Sequence, residues 1–388
     1  MKNLHYFHGS FAFTTIALVL GYLMGGWAGA YSVTVLAILE TSLSVDNSVV
    51  NATKLETMSH FWRNMFLTLG MLIAIFGMRV IFPIAIVGES AGIDWFPSVT
   101  TALSNLFTGQ HTPYNDNVLF MAIDSPVKYA AVLTDAHATI AGFGGAFLML
   151  VFLKFFIDSE KEHHWLSIIE APLAKLGKIE AVQIGITVLA LYTFSTHLPA
   201  ADSTRFFMAG IFGILTYIAT DGLGALLDSE EGDGTSTTTV VKSGLAAFMY
   251  LEVLDASFSF DGVVGAFAIT NNLFIIALGL GVGAMFVRSM TIMLVDKGTL
   301  SEFVFLEHGA FYAIGSLAGI MLCSTIMHIP EVISGTIGAI FIGVALWASI
   351  IYNRNKSNEI EPDVVHAAHV DHISIKDLKE SAFYKNHQ

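Results

Sequence analysis

The chain has 388 residues, of which 54% are hydrophobic and 13% charged, and its mean hydropathy is +0.66. With its 34 glycines counted, the apolar share is roughly 63%, against ~45–50% for a soluble domain. This excludes a soluble globular enzyme and a disordered chain, and the net charge of −14 excludes a nucleic-acid binder, which needs a basic face. A single cysteine, Cys323, leaves no disulfide framework and no cysteine-built zinc or iron–sulfur site.

In chain order, ten apolar segments are long enough to cross a ~30 Å hydrocarbon layer as helices. They lie at 10–28, 33–52, 65–87, 128–157, 181–198, 206–227, 243–270, 273–295, 309–328 and 332–352. The fourth and seventh are long, which allows tilting or kinking. The runs are continuous rather than alternating, so a β-barrel is excluded. The fold class is all-α: a polytopic helical membrane protein, with a transmembrane domain over 1–352 and a polar cytoplasmic tail over 353–388. The lipid bilayer is its first partner.

Cytoplasmic loops carry the excess of Lys and Arg. With the N-terminus inside, fourteen basic residues fall in cytoplasmic segments, and only Lys128 and Arg205 fall outside; Arg79 and Arg288 lie within spans. Both termini are therefore expected in the cytoplasm. Ala28-Gly29-Ala30 resembles a cleavage site, so a signal peptide is the alternative to a retained first helix. Residues 88–127 read as a long outer connection, and 228–241 as a solvated cytoplasmic loop.

An internal repeat carries acid into the membrane. The second span holds Glu40, Ser42, Ser44 and Asp46, followed by Asn47; the seventh holds Asp255, Ser257, Ser259 and Asp261, followed by Gly262. The offset is a constant 215 residues. Each copy is followed in its next span by Leu-Gly, eight residues and an arginine, Arg79 or Arg288. On the ten-span count the two copies cross in opposite directions, the mark of inverted-topology repeats, whose substrate sites lie near the bilayer midplane. Asn47 and Gly262 would permit a helix break directly after each aspartate, and the serines can loosen the helix by bonding back to carbonyls.

Intramembrane carboxylates cost at least ~2.5–3.5 kcal/mol each on insertion scales and read as functional by default. Two arginines cannot neutralise four acids, and Glu252, Asp135 and Asp221 enlarge the surplus. Carboxylate, hydroxyl and amide oxygens suit a hard divalent cation, Mn²⁺, Ca²⁺ or Mg²⁺. The candidate ligands are Glu40, Ser44, Asp46, Asn47, Asp255, Ser259 and Asp261, with Arg79 and Arg288 as counter-charges. Glu40 and Asp46 could share one ion only if the helix breaks between them, since six residues turn a helix to another face. Otherwise Asp46 and Asp261 form the centre, and the earlier acids line an approach. The same carboxylates could carry protons in exchange.

Leu-Glu-x-x-Leu-Ser-Val-Asp-Asn over 39–47 and Ser-Phe-Asp-Gly over 259–262, with the acids before it, resemble the TerC family of bacterial integral membrane proteins. The resemblance covers most of residues 30–350. It implies a relation to LysE-type exporters, efflux of manganese or another divalent cation across the bacterial inner membrane, and a historical link to tellurium resistance. Phe260 and Gly262 depart from the family's usual Val and Ser or Asn, which implies a looser second site. The second reading is a non-transporting subunit of a stress-response complex, with stress-complex proteins or a second copy of the chain as partners.

Other polar residues carry two readings each. Asp135 and His137 would form an outer gate or a plain hydrogen-bonded pair, and Asp221 a gate or a bundle-facing acid. Glu307 and His308 read as interfacial. His366, His369 and His372, three apart, read as incidental in a flexible tail or as a weak metal-sensing face. Gly142, Gly144 and Gly145, like Gly279, Gly281 and Gly283, read as close helix packing. An enzyme is not expected: no Gly-x-Gly-Asp, His-Glu-x-x-His or Gly-x-Ser-x-Gly run is present.

Overall fold

The computed structural model describes residues 4–94, 96, 117–157, 165–166, 168, 170, 181–228, 237–267, 269–327 and 329–371. Among these, regular structure is helical throughout, and seven helices are long and apolar enough to cross a membrane. The protein is an all-α, multi-pass membrane protein.

The first helix, α1 (His8–Leu43), is a hairpin rather than a rod. Gly26 sits at φ 59°, ψ −149°, a conformation open essentially to glycine alone. The chain reverses there, and the two arms touch at Gly21 and Gly29, where a Cβ on Gly29 would collide with the Gly21 carbonyl and one on Gly21 with the Val33 side chain. Both arms pack on α11 (Leu273–Lys297), and the contacts give their directions. In the first arm Ser10 donates to the Met285 carbonyl at 2.9 Å, while Gly25 lies against Ile275, so this arm runs antiparallel to α11. In the second arm Gly29 lies against Ile275, Leu36 against Gly279 and Glu40 against Gly283, so this arm runs parallel. Each arm is roughly 25 Å long, close to the ~30 Å a membrane crossing needs. The arms correspond to the first two expected spans.

α2 (Val45–Glu56) continues the second arm after an interruption at Ser44. α3 (His60–Leu72), a wider π-helical stretch (Ile73–Ile81) and α4 (Phe82–Ala91) form one interrupted rod. Pro83 is the second residue after the stretch. It has no N–H, and its ring crowds the carbonyl four residues back, which accounts for the widening before it.

After α5 (Val118–Asp124), the fourth expected span is two helices, α6 (Pro126–Asp135) and α7 (His137–Ile157), with a turn at Ala136. The two halves serve different neighbours: α6 packs on α4, and α7 packs on α9 (Ala200–Asp228) and α12 (Leu306–Ser324). The α7 glycines permit this, with Gly142 against Phe206, Gly144 against Met321 and Gly145 against Leu322. α8 (Ala181–Ser195) and α10 (Thr237–Ala266) overlap their expected spans, though neither is among the seven helices long and apolar enough to cross. α13 (Glu331–Asp371) continues as helix nineteen residues beyond the expected end at 352, into the segment expected as tail.

The expected outer connection is described only at its ends. Most of the loops over 158–180 and 228–241, together with His372 and the chain beyond it, lie outside the described residues. Two apolar clusters flank the motif helices. One gathers Val49, Val50 and Leu55 with Leu251 and Leu254; the other gathers Leu36 with Val263 and Ala266. The motif acids fall where the two clusters meet.

Candidate functional site

The first motif copy breaks at Ser44, whose φ −108°, ψ 22° separates α1 from α2. Hydroxyls crowd this segment: Thr41 donates to the Ala37 carbonyl at 2.7 Å, Ser42 to the Leu39 carbonyl at 3.1 Å and Ser48 to the Val45 carbonyl at 2.6 Å. Such back-bonding competes with the helix ladder. The break therefore lies between Glu40 and Asp46, not directly after Asp46. The second copy stays helical through Gly262, because only Ser257 bonds back there, to the Val253 carbonyl at 2.9 Å.

The two copies run antiparallel against each other. Glu40 lies against Gly262, where a Cβ would come within 2.9 Å of Oε2. At the other end Lys54 Nζ stands 5.6 Å above the Tyr250 ring. This register sets Ser44 opposite Ser259, the pair that the sequence repeat also equates. A pseudo-two-fold axis thus passes between these serines.

Around the axis lies a narrow cavity lined by Glu40, Ser44, Asn47, Asn51, Arg79, Asp255, Ser259, Ala284, Val287 and Arg288, with space for roughly one water-sized particle. Five of the seven expected ligands line it: Glu40, Ser44, Asn47, Asp255 and Ser259. Both expected counter-charges line it as well. Asp46 does not. It is buried at 6% exposure, its Oδ1 accepts from the Asn47 N–H at 3.1 Å, and its Oδ2 faces Gly338 on α13. The backbone of Asp261 is helical, and its side chain lies outside the described residues. The register also sets Asp261 about one turn along from Asp46.

Electrostatics differ between the copies. Arg79 Nη2 donates to Glu40 Oε1 at 2.5 Å, and its Nη1 is braced by the Ala74 carbonyl within the π stretch. Arg288 instead gives Nη1 to the Phe66 carbonyl, and its guanidinium carbon lies 4.0 Å from the Phe66 ring centroid. It interacts electrostatically with both Asp255 and Glu252. Beside the two guanidinium groups, the lining residues offer carboxylate, hydroxyl and amide oxygens, the chemistry of a hard cation site. Among the described residues no group of three or more His, Cys, Asp or Glu is close enough together to hold a metal unaided, so any ion here would draw on Ser and Asn oxygens as well.

The remaining candidates lie apart from the cavity. Asp135 is exposed, and His137 Nε2 stands 3.5 Å from Ser324 Oγ. Asp221 forms an ion pair with Lys154 across α9 and α7, both partly exposed. His308, expected at an interface, is buried at 3% exposure with its Nε2 3.6 Å from Glu170 Oε2. It faces a polar cluster that includes Tyr312, whose hydroxyl donates to Glu170 at 3.2 Å. Asn51 escaped the sequence reading as a site residue, and Glu252 entered it only as surplus acid. The signal was there: Asn51 follows Asn47 by four residues and Glu252 precedes Asp255 by three, each pair on one helical face.

No curated protein and no solved structure matches the chain. A family model matches residues 45–356, from the first turn of α2 into α13, so that Glu40 precedes the matched region while Asp255 and both arginines fall within it. The chain belongs to the family described as "Protein of unknown function (DUF475)".

Proposed function

We propose that this protein carries a divalent metal cation, manganese first among them, out of the cell across the bacterial inner membrane, with both termini cytoplasmic. The antiparallel packing of the two motif copies around an oxygen-lined cavity carries the reading. Inverted repeats that meet at a buried polar site are a common construction of secondary transporters. The resemblance of both motifs to the TerC family supports the choice of ion.

In this mechanism Asp255 and Glu40 supply carboxylates on either side of the axis, and Ser44, Asn47 and Ser259 replace part of the ion's hydration shell. Asp46 and Asp261, at the motif ends, flank the passage. The cation competes with the two guanidinium groups for the carboxylates. When it leaves, Arg79 and Arg288 take its place, and the buried acids are never left wholly uncompensated. Rocking of the repeats about the axis then opens the cavity to one face at a time.

The test is Mn²⁺ flux in vesicles containing the purified protein. Wild type should carry the ion, and Asp255→Asn should abolish transport while still inserting, since removing a charge eases insertion. Flux equal to wild type in Asp255→Asn, or selective transport of copper with manganese untouched, would sink the reading.

A further inference from the structure

Glu252 precedes Asp255 by one turn and Ser259 by two on α10, so the three side chains share a face. It is 5% exposed, and neither carboxylate oxygen has a hydrogen-bond partner. Arg288 Nη2 stands 3.8 Å from Oε1, beyond hydrogen-bond distance. Arg288 is held there by its own contacts to the carbonyl and ring of Phe66. The space for this arrangement comes from Gly70, where a Cβ would lie 3.0 Å and 3.2 Å from the two guanidinium nitrogens and run into Glu252 Oε1.

Asn51 stands opposite Glu252 in the register of the two motif helices. Its Oδ1 and the Oγ of Ser259 also lack partners, at residue exposures of 1% and 5%, and both residues line the cavity. The second copy thus presents buried oxygens that make no hydrogen bond, beside two carboxylates that share a single arginine whose Nη2 makes none either. Buried acceptors require a donor or a cation. A cation with a preference for oxygen ligands completes this set.

We propose that Glu252 and Asp255, with the oxygens of Asn51 and Ser259, form the resting position of the cation, so that the ion sits on the second copy's side of the axis and not between two equivalent halves. The ligand is a small hard divalent cation, the class that carboxylate, amide and hydroxyl oxygens match. Arg288 is the counter-charge of this site, and Gly70 leaves the room in which its guanidinium and Glu252 lie side by side. The inference deepens the transport reading, and rests on it only for what the bound ion does next.

The experiment is Mn²⁺ binding to purified full-length protein in detergent, read from the paramagnetic resonance signal of the free ion. Wild type should bind, with Mg²⁺ and Ca²⁺ as competitors. Glu252→Gln should raise Kd at least about tenfold, Glu252→Asp should recover part of the loss, and the exposed Glu302→Gln should change nothing. A folded Glu252→Gln protein that binds like wild type overturns the site, as does a wild type that binds none of the three ions. If Glu252→Gln fails to fold, Asn51→Ala decides: a raised Kd supports the site and an unchanged one overturns it. Binding that depends on Glu252 without Mn²⁺ flux in vesicles leaves this site standing and removes the transport reading.

Discussion

Glu40 and Glu252 are both carboxylates on motif-bearing helices, and their side chains are equally buried, at 6% and 7% exposure. Each has an arginine nearby, yet one is clasped at 2.5 Å and the other stands off at 3.8 Å. Burial cannot be the cause of that difference. Arg79 leaves the backbone from the π stretch before Pro83, which turns its guanidinium toward Glu40 and braces it on Ala74. Arg288 leaves a regular helix and is captured by the Phe66 carbonyl and ring before it reaches Glu252. The two arginines of the repeat are therefore paired differently, because each one's partner is chosen by backbone geometry outside the motif.

The sharpest way to break this comparison is to remove each arginine. Arg79→Gln leaves Glu40 uncompensated in a closed contact and should cost about 3–5 kcal/mol of stability. Arg288→Gln leaves Glu252 and Asp255 without their shared arginine and should likewise cost about 3–5 kcal/mol, but with divalent cation restoring part of it. Chemical denaturation in detergent, with and without Mn²⁺, measures both. Rescue of the Arg79 variant instead, or of both variants equally, would abolish the distinction between the halves.

A smaller effect separates the two glycines that face these acids. At Gly283 a Cβ would collide with Cβ and Cγ of Glu40 and come within 3.2 Å of the Thr41 backbone N. That stem cannot retreat, so Gly283→Ala should cost about 1–3 kcal/mol. At Gly70 the neighbours are the ends of long side chains. Gly70→Ala should therefore cost less in the same denaturation assay, yet weaken Mn²⁺ binding, as displacement of Glu252 requires. A Gly70→Ala protein with wild-type affinity would detach Gly70 from the ion site.

The smallest effect sets the baseline for an ion pair outside the cavity. Lys154 and Asp221 are 52% and 38% exposed, so solvent screens them. Asp221→Asn should cost under about 1 kcal/mol and be insensitive to Mn²⁺. A larger loss would mean that the pair joins α7 to α9 more tightly than its exposure allows.

Much of the site was legible because the motif acids and small residues recur at fixed spacing. Glu40, Ser44, Asn47, Asp255 and Ser259 were found this way, as was the opposite direction of the two copies. Asp46 shows where that reasoning stops. Spacing along an unbroken helix fixes the angle between side chains, but the interruption at Ser44 resets the angle, and Asp46 turns to Gly338. His308 was read from its position at a span end, and only the docking of Glu170 and Tyr312 makes that end buried. The break at Ala136 has no proline or glycine to announce it, because it follows from two halves packing on different neighbours.

By itself, then, the sequence determined the all-α membrane class, most of the spans, the repeat and the oxygen chemistry of its acids. Hydropathy and spacing are local properties, and each can be read from a single stretch of chain. The tertiary structure decided which acids meet, which arginine closes on its carboxylate and which is held off, and where the chain reverses or breaks. Those outcomes depend on helix rotation and on carbonyls and rings contributed from distant segments, such as Phe66 for Arg288. No spacing within a motif encodes them.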